Sequence, residues 1–176
     1  MVQIYIYIGI AFLAGFLIAW IIRSVALAKM IKLQKSTAGY LESEKLMKET
    51  LQKEIAPGRN RGIYLLGHLI AVHDDMLILL DMGEKLYPEL VEPFIKSPDK
   101  TVSKLPTVTE LRTYWVKQCG VLKQKFDSLK PAEWFEKHTA VSAEDFAKEP
   151  HRNKLNIIIT RTTHLQYHLG QLVLLK

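Results

Sequence analysis

At 176 residues and 48% hydrophobic, the chain is long enough for one domain with a substantial core plus an appendage, and too short for a second independent domain. A formal charge of +6 at pH 7 favours an anionic neighbour, either nucleic acid or the inner leaflet of a membrane. A single cysteine, Cys119, excludes an internal disulfide framework and a zinc ribbon.

The run from Ile4 to Ile22 is apolar and uncharged over 19 residues. As a helix it would extend roughly 28 Å at about 1.5 Å per residue, enough to cross a bilayer. Ala26-Leu27-Ala28 imitates a signal-peptide cleavage site, yet no basic residue precedes the run and it is too long for a signal sequence. Residues 1–23 are therefore expected to be a transmembrane anchor. Arg23, Lys29, Lys32 and Lys35 follow the run closely, so a single-pass protein with its domain on the cytoplasmic side is expected. Tyr5, Tyr7 and Trp20 suit the two interfacial zones. Ala11, Gly15 and Ala19 form a small-residue row through which two such helices would approach, although small residues are common in membrane helices anyway.

Residues 24–56 read as a juxtamembrane helix, expected to be the first helix of a bundle rather than a stalk, because a bundle needs a partner for each apolar face. Residues 57–176 then form the rest of the bundle. Pro57-Gly58-Arg59-Asn60 is a break, with Asn60 as the expected cap of a helix reaching Leu86 before Pro88. Leu65, Leu69, Val72, Met76 and Leu79 recur at three- and four-residue steps and define a core face. His68 adjoins that face, Asp75 lies two turns farther along the same side, and His73, about 140 degrees around the axis, is expected to face outward.

Four prolines between Tyr87 and Pro106 prevent a long helix, leaving an ordered loop pinned by Phe94 and Ile95 over one end of the bundle. Thr107 and Glu110 have capping-box form, opening a helix marked by Leu111, Trp115, Leu122, Phe126 and Leu129 and stopped by Pro131. Trp134 and Phe135 are expected to be buried. The last helix runs from Asn153 to Leu175, adding Leu165, Leu169 and Leu172 to the expected core. No alternating strand pattern or internal repeat occurs. The fold class is all-α.

The final helix carries the chemistry. His164 and His168, four residues apart, bring their ring nitrogens to one point. A pair of satisfied core or surface histidines has the same spacing, so HxxxH alone leaves both readings open. With His68 the inward imidazoles become three, and three neutral imidazoles leave a fourth position of a zinc-like ion open, the composition of a catalytic site. Asp75 is a candidate to accept an imidazole N–H, or else a solvated carboxylate, and Gln171 a candidate to bind water or ligand. Cys119 reads as a small core residue rather than a nucleophile. Basic residues are not clustered on a helix with interleaved aromatics, which argues against nucleic acid.

His164, His168, Gly170 and Gln171, together with Gly67-His68-Leu69, resemble the DinB/YfiT-like family over roughly Leu41 to Lys176. The resemblance implies a DinB-like four-helix bundle, a divalent metal, zinc or nickel foremost, held by His68, His164 and His168, and frequent dimerisation, so a homodimer is expected. It also implies an uneven functional record, in which some members transfer low-molecular-weight thiols or isomerise thiol conjugates and many have no established activity. The expected function here is that of a metal-dependent hydrolase or thiol transferase acting on a small molecule. The alternative is a non-enzymatic, membrane-associated binding module with a structural or vestigial metal site. The hydrophobic N-terminus departs from the family pattern and puts its first helix, though not its ligands, in question.

Overall fold

The structure is a computed structural model that describes residues 41–175 together with Lys29 and Lys32. The expected anchor, residues 1–23, lies outside the described residues, as does most of the stretch 24–40. The chain divides after Met47, within the first described helix, and the unit Lys48–Lys176 holds every element after that helix.

Helix α1 occupies residues 41–51. It is followed by α2 (Gly62–Leu79), α3 (Val108–Ser128), α4 (Ala143–Lys148) and α5 (Lys154–Leu172). Shorter turns at Pro88–Leu90, Glu92–Lys96 and Pro131–Phe135 join them. Among the described residues there is no strand, only isolated bridges between Glu54 and Arg61 and between Lys137 and Asn153. The all-α expectation holds at that level.

The centre is α2. Of its 18 residues, 13 are buried, because α3, α5 and the loop turns Pro88–Leu90 and Glu92–Lys96 all pack against it. Ile63, Leu65, Ile70, Leu90, Phe94 and Leu111 form one core cluster. Met76, Leu77, Leu80 and Leu122 form a second. Among the described residues α2 is also the one helix long and apolar enough to cross a membrane, but most of it is buried within the protein. A helix that is hydrophobic all round is accounted for by such central packing.

The boundaries of α2 differ from expectation at both ends. Arg61, not Asn60, is the N-cap, and it makes no side-chain capping bond. Instead Asp99 of the following loop accepts the Arg61 backbone N–H at 2.7 Å and pairs with its guanidinium at 2.7 Å. The helix stops at Leu79 rather than Leu86. Asp81 and Gly83 take positive φ values of 59° and 131°, which turns the chain. The buried Asp74 carboxylate then accepts the N–H groups of Leu86 and Tyr87 at 3.0 and 2.8 Å. A side-chain acceptor thus replaces the helical carbonyls for those amides.

Downstream the capping signals are met. Thr107 accepts the Glu110 N–H at 3.2 Å while the Glu110 carboxylate accepts the Thr107 N–H at 2.7 Å. Asn153 accepts the Asn156 N–H at 2.9 Å and opens α5. Of the expected core, Leu65, Leu69, Val72 and Leu122 are buried, while Trp115, Phe126, Leu165 and Leu172 are half-buried. Leu169 is 42% exposed, and Phe135 is 62% exposed where burial was expected. Trp134 leans on Phe126 with ring centroids 5.7 Å apart. Phe94 pins its loop at 0% exposure, whereas Ile95 is exposed. No residue of α5 is fully buried, which is why its leucines cover α2 without forming a sealed core.

Candidate metal centre

Three imidazoles converge between α2 and α5. His164 Nε2 lies 3.3 Å from His68 Nε2 and 3.0 Å from His168 Nε2. The four-residue step of α5 stacks His164 over His168, and α2 delivers His68 from 96 residues away in sequence. Two nitrogens bound to one tetrahedral ion at about 2.0–2.1 Å would themselves be about 3.3 Å apart. The three histidines are close enough to hold a metal ion.

The opposite ring nitrogens fix the tautomers. His68 Nδ1 donates to the Phe94 carbonyl at 2.8 Å, and a carbonyl can only accept. That approach requires Gly67: a Cβ there would fall 2.3 Å from the Phe94 ring, so glycine lets the loop lie against α2 and aim its carbonyl at the imidazole. His168 Nδ1 donates to Gln171 Oε1 at 2.6 Å, while Gln171 Nε2 donates to the Tyr167 hydroxyl at 3.3 Å, which orients the amide. His68 and His168 therefore present bare lone pairs at Nε2. His164 can donate one proton to one of them, which leaves the other lone pair facing nitrogen. A cation resolves that conflict, and the donor set fits a borderline-soft divalent ion.

Electrostatics favour the neutral ligands. Burial pushes the His68 pKa down against the pull of the Phe94 carbonyl, with further lowering from His168 and Arg161. Burial, then the neighbouring His168, His68 and Arg161 charges, lowers His164 to about 4. His164 Nδ1 is buried without a hydrogen-bond partner.

The remaining sequence candidates fall elsewhere. Asp75 pairs with Lys85 at 2.6 Å, and the acceptor it was expected to supply is the Phe94 carbonyl instead. Gln171 is close by, but as the acceptor that orients His168. His73 does not face outward: it is 8% exposed, donates from Nδ1 to Leu69 O at 2.7 Å and meets Trp115 edge-on at 5.3 Å. The rotation away from His68 was correct, but α3 covers that side. His138 is buried, His151 is exposed, and neither joins the cluster. Cys119 is exposed rather than a core residue, and desolvation raises its thiol pKa, which suits a nucleophile poorly.

Two contributors have no sequence signature. Phe94 acts through its backbone. Asp74 is 1% exposed and shares its carboxylate between the loop amides and Gln118 Nε2 at 3.1 Å, fixing the turn after α2. No family model matches this sequence, and no curated protein matches it.

Proposed function

We propose that this chain is a membrane-anchored, DinB-like four-helix protein whose His68, His164 and His168 hold one divalent cation, zinc or nickel foremost. In this reading it acts on a small molecule at the cytoplasmic face, as a metal-dependent hydrolase or thiol transferase. The observation that carries the proposal is the convergence of three Nε2 atoms within 3.0 and 3.3 Å while two of the rings spend their Nδ1 protons on outer acceptors. A structural histidine pair would not leave lone pairs opposed.

A bound ion would supply Lewis acidity, lowering the pKa of water or of a thiol. The protein's part is to keep three imidazoles neutral and aimed. The Phe94 carbonyl and Gln171 hold the His68 and His168 rings, as outer hydrogen-bond partners do around metals. Burial keeps His164 deprotonated at neutral pH. The four-helix reading draws support from α2, α3 and α5, and the anchor from the uncharged run Ile4 to Ile22.

The test is elemental analysis of the purified full chain and of its single histidine variants after equal exposure to zinc, nickel or manganese. One ion per chain is expected, lost in His68→Ala, His164→Ala and His168→Ala. A metal-free wild type would refute the site. A metal that binds but offers azide no exchangeable position would favour the non-enzymatic module. Recovery of the intact protein in the soluble fraction would remove the anchor.

A further inference from the structure

Between α3 and α5, over α2, lies a cleft of about 420 Å³, within the range of small-ligand pockets. Met76 forms part of its floor, and Trp115, Leu122, Phe126 and Leu165 line its walls. Two cations reach this apolar lining. Lys123 is paired with Asp127. Arg161 makes no ion pair among the described residues, and its Nε is buried without a hydrogen-bond partner. An uncompensated guanidinium against apolar walls is unfavourable unless an anion meets it.

We propose that this cleft binds an organic acid with an apolar body, its carboxylate compensating Arg161 and its body lying against Trp115, Leu122 and Phe126. The planar guanidinium fork matches a carboxylate better than a spherical anion, and the walls match hydrocarbon or an aromatic ring. Arg161 stands one turn before His164 on α5, and Leu165, the residue after His164, lines the cleft. The Arg161 charge is felt at both His68 and His164. The charged end of the ligand therefore lies one helical turn from His164 on α5, while His73 is the histidine that lines the cleft itself. As a statement of substrate class this rests on the metal reading above; as a binding site it does not.

The experiment is isothermal titration of the full chain, loaded with zinc, using 4-phenylbutyrate and the neutral 4-phenylbutan-1-ol as probes. Wild type is expected to prefer the acid by about tenfold or more, the contribution of a charge-assisted hydrogen bond. Arg161→Gln should remove that preference and leave the affinity for the alcohol. Cys119→Trp, which fills the cleft from its exposed rim, should weaken both probes. His164→Ala, which empties the metal site, should keep the preference for the acid. Equal affinities in wild type, or a preference that survives Arg161→Gln, would overturn the proposal, as would probes indifferent to Cys119→Trp. If His164→Ala abolishes the preference and Arg161→Gln does not, the carboxylate goes to the metal and the cleft assignment fails while the metal site stands. Metal content of the same samples reads the metal proposal separately.

Discussion

The Phe94 carbonyl reaches His68 Nδ1 at 2.8 Å because the Phe94 ring lies where a Gly67 side chain would be. Orientation of the His68 imidazole thus depends on the missing Cβ of the residue before it. Gly67→Ala should push the loop away, costing about 1–3 kcal/mol of stability through overpacking and weakening zinc binding together with it. Urea unfolding and a zinc titration check both effects. A net gain of about 1 kcal/mol, the helix-propensity benefit of alanine, with unchanged zinc affinity would contradict the coupling.

Asp74 accepts three hydrogen bonds, two from loop amides and one from Gln118. Asp74→Ala strands those donors in a buried setting, for an expected loss of about 2–5 kcal/mol. Asp75→Ala, which removes a partly exposed pair with Lys85, should cost less than about 1 kcal/mol. Thermal or urea unfolding of the two neighbouring variants separates them, and equal losses would place Asp74 outside the core.

Gln171→Ala should retain the metal but bind it about 10–100-fold more weakly, the usual consequence of removing an outer partner of a ligand. His73→Ala should retain metal stoichiometry and still destabilise the protein, because that ring is buried against Trp115. Competition with a chromophoric chelator measures the first, and metal content with chemical denaturation the second. Loss of the ion in His73→Ala would show that the wrong face of α2 had been assigned to the site.

The titration of His164 sets a pH window. Its folded-state pKa, lowered to about 4, lies below the unfolded value of about 6.5, so between these values the unfolded chain holds more protons. The stabilising contribution of the neutral ring is complete above about 6.5 and is lost as pH falls toward 4. Metal-free protein should weaken over that interval, and His164→Ala should weaken less. A wild-type stability flat from pH 7 to 4.5 would contradict the assignment.

The convergence of His68, His164 and His168 was legible because a four-residue step on a helix has one geometric meaning and the phase of His68 followed from Leu65, Leu69 and Val72. The surroundings of His73 were not. Ile63, Ile70 and Leu77 give α2 a second apolar side, and a periodicity that selects one face assigns the other to solvent. Adjacent aspartates offered no means of telling that Asp74 is buried and Asp75 is not, since the difference lies in the turn created by Asp81 and Gly83. The Phe94 carbonyl, as backbone, leaves no trace in residue type. The leucines of α5 overstated its burial, because an apolar count does not reveal how many neighbours share the cover. The Thr107–Glu110 capping box, whose effect is local, placed the start of α3 well.

Because α5 carries two of the three converging imidazoles yet has no fully buried residue, its attachment to α2 through packing alone is shallow. Amides in α5 should exchange with deuterium through partial opening, well before those of α2. An ion clasping His68 to His164 and His168 would close a loop 96 residues long and slow that opening selectively. Metal supply would then govern the lifetime of this helix in a cell, since an unclasped α5 is open to proteases before the rest of the protein has begun to unfold.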